Sequence, residues 1–349
     1  MAANAGKLEK LESVRGLAGF YVFVHHYVHC NNELAFLQKF FIFGQTAVMV
    51  FFILSGFVIY YSAIGRKDNL NVRDYLIRRL RRIYPAYILV LLLGYALPKL
   101  VNGDYVSFKP WDFIGNLLML QDKQHPHIWF EPYQGNTPLW SLSYEWWFYL
   151  LFIPVWFAFR KWPLRQQYLA AGITFLGFLT YWLVPNQFSI IAAYFILWWS
   201  GVELAREYVD TGKVTWRRQA FSISMLALNS LLWIAMAYLS YRESGKFVRL
   251  EFPNVQVQHQ VTVLCMVVGA ILWYKLKWVG FKWTIGPFKL LSPISYVIYI
   301  LHLPIVLWAD YINLTGSVWL DILWVWPLIF GISWVIEVPL QRWINRVVK

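Results

Sequence analysis

The chain has 349 residues, of which 59% are hydrophobic, 20% aromatic and only 14% charged, with a formal net charge of +13. A soluble protein of this length needs far more charge on its surface, so that class is set aside. Long apolar runs recur from end to end, and the bilayer is the expected solvent.

The rule that about twenty apolar residues span the hydrocarbon core predicts an all-α polytopic membrane protein with about ten transmembrane helices. The expected spans are 13–30, 43–63, 84–101, 139–159, 168–184, 188–205, 220–240, 259–274, 290–309 and 318–338. No cleavage-site pattern follows the first run, which is expected to stay as an anchor. The shorter run WDFIGNLLML at 111–120 reads as a re-entrant or interfacial segment. Cys30 and Cys265 lie far apart in apolar surroundings, which suggests neither a disulfide framework nor a thiolate metal site. No linker or repeat divides the chain, so residues 1–349 read as one membrane domain.

Lys and Arg set the orientation. With both termini cytoplasmic, 24 of the 31 basic residues fall on inside segments, the cluster from Arg66 to Arg82 prominent among them. Attraction of the inside loops to anionic headgroups accounts for most of the positive charge, and no nucleic-acid partner is needed.

Ionisable groups inside apolar helices cost about 2.5–3.5 kcal/mol each on insertion scales, which makes them candidates for function. In VRGLAGFYVFVHHYVHC, Arg15 and His26 are eleven residues apart. They therefore share a helix face and lie about 16 Å apart along its axis. Arg15 could equally snorkel to the headgroups, and His26 could be an interfacial residue with a satisfied hydrogen bond. His25 and His29, four apart, have no third ligand at useful spacing, so no metal is expected. LWSLSYEWWFYLLFIPV carries Glu145, and SPISYVIYILHLPIV carries Tyr299 and His302. Counting residues from the outer boundary puts His26, Glu145 and His302 about 6, 9 and 12 Å deep, in one layer. A histidine beside a carboxylate can act as general base on a hydroxyl; a pair of packing hydrogen bonds is the plainer alternative. In NVRDYLIRRLRRIYP, Arg79 and Arg82 share a helical face, which suits phosphate binding and suits positive-inside anchoring equally. The loop QDKQHPHIWFEPYQGNTP at 121–138 could contact a glycan, but an interfacial aromatic belt is the preferred reading.

Taken in order, these motifs resemble the membrane acyltransferase-3 family, the O-acyltransferases of bacterial glycans and related acceptors. They are LESVRGLAGFYVFVHHYVH with Arg15 and His26; GQTAVMVFFILSGFVI with Ser55, Gly56 and Phe57; RRLRRIYP with Arg79 and Arg82; TPLWSLSYEWWFYLLFIP with Glu145; and ISYVIYILHLPI with Tyr296, Tyr299 and His302. The resemblance implies transfer of an acyl group, usually acetyl, from cytoplasmic acetyl-CoA or another acyl-CoA to a carbohydrate or lipid-linked glycan hydroxyl beyond the bacterial cytoplasmic membrane. It selects His26 over His25 and implies the stand-alone form of the family. Arg15, Arg79 and Arg82 would hold the donor's phosphates, and His26, oriented by Glu145, would be the base. Ser55, Tyr299 and His302 are candidates for support, including an oxyanion hole. A transporter or flippase using the same Arg, His and Glu is the competing class, although paired Gly/Pro-interrupted helices are not evident.

Overall fold

The computed structural model describes residues 2–64, 71–102, 107–159, 161–309 and 316–347. Arg66, Lys67, Arg160 and Lys349 of the expected inside basic groups lie outside the described residues. The protein is an all-α polytopic membrane protein, and among the described residues the only β pairing is an isolated bridge between Gln121 and Phe130.

In chain order the helices are α1 (Ala2–Cys30), α2 (Gly44–Ile64), α3 (Val72–Asn102), the short α4 (Pro110–Leu117), α5 (Trp140–Ala158) and α6 (Pro163–Leu183). There follow α7 (Gln187–Ala193), α8 (Phe195–Thr211), α9 (Trp216–Ser244), α10 (Asn254–Lys275), α11 (Ser295–Ala309), α12 (Val318–Val335) and α13 (Gln341–Val347). All ten expected spans are helical. Among the described residues, seven stretches are long and apolar enough to cross a membrane: 44–63, 72–98, 187–211, 216–244, 254–275, 286–307 and 318–347. The expected spans in α1, α5 and α6 fall short of that measure because they carry Arg, His, Glu, Trp and Tyr, whose polar atoms lower hydropathy.

The third expected helix, 84–101, begins twelve residues earlier than its apolar run. Asn71 Oδ1 accepts the Asp74 N–H at 3.4 Å and caps the new start. The Leu, Ile and Arg residues that follow are good helix formers, so Pro85 sits inside the helix rather than at its first turn. The whole RRLRR cluster is thereby carried on α3.

The centre of the bundle is aromatic: Phe52, Phe148, Phe152, Phe195, Trp198 and Trp199 are all buried between α2, α5 and α8. There α2 and α8 touch backbone to backbone. A Cβ on Gly56 would stand 2.1 Å from the Trp198 carbonyl oxygen, and one on Gly201 would stand 2.0 Å from that of Ile53. The glycine of the LSGF motif is therefore required by packing. Gly56→Ala is expected to destabilise by about 1–3 kcal/mol through overpacking, read as a lower midpoint of thermal unfolding in detergent; an unchanged midpoint would contradict the contact.

The 121–138 loop is not simply a belt. Asp122 is buried and accepts the N–H groups of Lys123 at 2.6 Å and Gln124 at 2.9 Å, and its other oxygen accepts the Tyr144 hydroxyl at 2.7 Å. Asn136 donates to the Ile300 carbonyl on α11 at 2.8 Å. These bonds fold the loop down into the bundle, and of its aromatic residues Trp129 is the exposed one, edge-on to Phe188. An apolar belt residue and a buried polar cap thus coexist in one segment.

Candidate active site

One cavity lies at each of the two polar positions of α1, Arg15 and His26. The first, of about 310 Å³, is lined by Arg15, Ser55, Arg78, Arg79, Arg82, Ser141, Glu145, Tyr149, Tyr296 and Tyr299 among others. The second, of about 550 Å³, is lined by His25, His26, Gln45, Lys123, Gln124, His125, Thr137, Pro138, Trp140 and Tyr299 among others. We refer to them as the arginine chamber and the histidine chamber. Tyr299 belongs to both. Its hydroxyl is 2.7 Å from Ser141 Oγ, in the wall of the first, and 2.7 Å from the carbonyl oxygen of Pro138, in the wall of the second. Tyr299 is thus the side chain common to both walls, held by one hydrogen bond on each side.

His26 does not meet Glu145. Its Nδ1 lies 3.0 Å from the Val22 carbonyl oxygen and 3.1 Å from His302 Nε2, while Glu145 accepts the Tyr149 hydroxyl in the other chamber. The expected carboxylate partner of His26 is thus replaced by a second histidine. Counting protons fixes the tautomers. His302 Nδ1 is 2.9 Å from the Ile298 carbonyl oxygen, which can only accept, so Nδ1 carries the hydrogen and Nε2 a lone pair. That lone pair accepts from His26 Nδ1–H. The remaining nitrogen of His26, Nε2, then has a free lone pair in a chamber roomy enough for a substrate, which is the state a general base needs.

His25 faces the same chamber, but its Nδ1 is engaged by the Phe41 carbonyl. His29 bonds the His25 carbonyl at 2.8 Å and is exposed. Among the described residues no group of three or more His, Cys, Asp or Glu side chains is arranged to hold a metal ion.

In the arginine chamber, Arg79 lies over the rings of Tyr75 and Tyr149, and its buried Nε has no hydrogen-bond partner. Arg82 is committed differently. It pairs with Glu337, whose side chain is 1% exposed, and stacks on Tyr296. The second oxygen of Glu337 accepts the Val297 N–H at 2.9 Å, one of the first-turn donors of α11 that has no partner within the helix. Four guanidinium groups thus border a chamber whose wall holds one carboxylate, with a second behind Arg82. Such a surplus suits an anionic ligand. Ser55 is not free for a substrate oxyanion: it donates to Tyr149 at 3.0 Å and accepts from Trp198 Nε1 at 3.1 Å, so it holds Tyr149 in place.

Residue reading overlooked Glu337, Tyr149, Gln45 and His259. Glu337 and His259 lie within the expected spans 318–338 and 259–274, and the rule that singled out Glu145 applies to both. Tyr149 and Gln45 give no such signal, being uncharged.

The fold and the two chambers define a multi-pass membrane protein with an arginine-lined cavity and a histidine-lined cavity that share one tyrosine. The profile of the family described as "Acyltransferase domain", the acyltransferase-3 family, matches residues 8–340. The chain belongs to that family. It is similar to "Acyltransferase MdmB" of Streptomyces mycarofaciens, 39% identical over 136 residues, which is 37% of this chain and 33% of that protein. It is also similar to the "Putative peptidoglycan O-acetyltransferase YrhL" of Bacillus subtilis (strain 168), 32% identical over 126 residues, 31% of this chain and 18% of that protein. The matched stretches thus span a third or less of these curated relatives. No solved structure gives a significant match.

Proposed function

We propose that this protein transfers an acyl group, acetyl in the simplest case, from cytoplasmic acetyl-CoA to a hydroxyl of a carbohydrate or glycolipid acceptor at the outer side of the bacterial cytoplasmic membrane. The observation that carries the reading is the meeting of two chemically unlike chambers at Tyr299. An acyl-CoA is itself two-ended, with phosphates at one end and a neutral thioester at the other. The name of the Bacillus relative supports both acetyl and a glycan acceptor.

In this reading Arg15, Arg78 and Arg79 bind the phosphates, Arg82 stays anchored to Glu337, and Glu145 limits the positive charge of the chamber. The positive-inside pattern puts this end on the cytoplasmic side. The pantetheine arm brings the thioester to Tyr299, whose hydroxyl releases Ser141 and Pro138 to let it pass. His26 Nε2 takes the proton of the acceptor hydroxyl as that oxygen forms a bond to the thioester carbonyl carbon. The carbon–sulfur bond then breaks, and the proton on His26 Nε2 goes to the departing thiolate. His302 keeps Nδ1 of His26 as the donor throughout and steadies the imidazolium.

For the protein in nanodiscs, acetyl-CoA is expected to raise the unfolding temperature. S-acetylpantetheine, which has the thioester but no nucleotide phosphates, is expected to leave it nearly unchanged at the same concentration. If neither acetyl-CoA nor longer acyl-CoAs stabilise the protein, the donor assignment is wrong.

A further inference from the structure

A second hydrogen-bonded wire ends in the histidine chamber, and acyl transfer as described does not use it. His259 on α10 is fully buried, stacked face to face on Trp140 with ring centroids 5.4 Å apart at 11°. Its Nδ1 is 2.9 Å from the Tyr194 hydroxyl, and its Nε2 is 3.2 Å from Gln45 Oε1. Gln45 stands on the first turn of α2 and lines the chamber that holds His26.

Only one arrangement of protons satisfies both the Tyr194 hydroxyl and the His259 ring. The Tyr194 hydroxyl makes no other hydrogen bond among the described residues, so its proton goes to His259 Nδ1. That leaves the hydrogen on Nε2, which donates to Gln45 Oε1. With its oxygen so engaged, the Gln45 amide is fixed in rotation, and its Nε2, which has no hydrogen-bond partner among the described residues, is left to the chamber. The reverse assignment, with Gln45 donating to His259, would strand the buried Tyr194 proton, which is costly in an apolar interior. A fully buried Tyr–His pair therefore serves to aim one amide.

We propose that Gln45 Nε2 donates a hydrogen bond to an oxygen of the carbohydrate acceptor, next to the hydroxyl that His26 deprotonates, with His259 and Tyr194 as positioning residues. The inference rests on the acyl-transfer reading and adds the acceptor subsite to it. A donor held in a fixed direction favours an acceptor oxygen at a fixed distance from the reacting hydroxyl, which is how a neighbouring ring substituent is read.

The test uses the full chain in nanodiscs with acetyl-CoA as donor and the p-nitrophenyl glycosides of glucose, galactose and N-acetylglucosamine as acceptor probes. Gln45→Met keeps the length of the side chain and removes the amide. It is expected to raise the acceptor KM about ten-fold, the cost of losing one oriented hydrogen bond, while the KM for acetyl-CoA stays within two-fold. Gln45→Glu, which turns the donor into an acceptor, should do the same or worse, and covers the case in which the methionine variant fails to fold. His259→Leu should raise the acceptor KM. His259→Gln should recover part of the loss, because its amide can still donate where Nε2 did. A wild-type acceptor KM in both Gln45 variants, or an equal rise in the KM for acetyl-CoA, overturns the subsite and leaves acyl transfer standing. If the wild type acylates none of the three probes although acetyl-CoA stabilises it, the carbohydrate subsite fails while the donor half survives. Absence of any response to acyl-CoA counts against the acyl-transfer reading itself.

Discussion

His26→Ala is expected to lower acyl transfer by about 10²–10⁴-fold, the range that a positioned general base contributes. Stability should change little. Among the described residues the ring bonds only to the Val22 carbonyl, one turn back on its own helix, and to His302. Stabilisation by acetyl-CoA should also persist, because Arg15, Arg78 and Arg79 line the other chamber. Release of free CoA thiol, measured beside the unfolding temperature with and without acetyl-CoA, separates these quantities. Wild-type turnover in His26→Ala would sink the assignment. Loss of turnover together with loss of acetyl-CoA binding would mean that the two chambers do not divide the work.

Arg82→Ala should have the largest effect on stability of any single change at the site. It strips the partner from a Glu337 side chain that is 1% exposed. Removing one member of a buried pair costs about 3–5 kcal/mol. Here we expect about 2–3 kcal/mol, since the Arg82 side chain is 40% exposed and Glu337 keeps the Val297 N–H. Arg82→Ala/Glu337→Gln should recover most of the loss, because no unpaired carboxylate remains. Arg79→Ala, by contrast, breaks no ion pair among the described residues and should leave the unfolding temperature near wild type while weakening the response to acetyl-CoA. Unfolding midpoints of the three variants, each with and without acetyl-CoA, give the comparison. If Arg82→Ala proves neutral, the Arg82–Glu337 pair carries no weight in the fold; if Arg79→Ala binds acetyl-CoA normally, Arg79 is not a phosphate ligand.

Much of this organisation is legible in the sequence because a bilayer leaves a strong imprint. Apolar run length locates the helices, Lys and Arg asymmetry suggests their direction, and an ionisable group inside an apolar run stands out. The placement of Arg15 and His26 eleven residues apart follows from helix geometry, and the structure puts them in successive chambers along α1. Five motifs in order, those with LSGF and RRLRR among them, carry the family resemblance, and the match over residues 8–340 agrees with it. Where apolarity is not the controlling quantity, the reading slips. The start of α3 is set by an Asn71 cap and by helix propensity in a charged segment, so the apolar run marks only its later part.

The partner of His26 is the clearest case of what the sequence by itself could not decide: Glu145 was the expected partner, and His302 stands there. Depth in the membrane is nearly linear in residue number, so counting put His26, Glu145 and His302 in one layer and could not choose between the last two. The choice depends on how each helix is rotated about its axis, which packing sets: α11 turns His302 toward α1, and α5 turns Glu145 toward Tyr149 and the arginines. The same is true of Gln45, an unremarkable amide until His259 on α10 and Tyr194, between α7 and α8, come into line with it. The sequence alone determined a helical membrane protein with its charged and imidazole groups at definite heights. Only the tertiary structure decided which of them meet, because contact between helices is settled by rotation and close packing, and neither is a function of position along the chain.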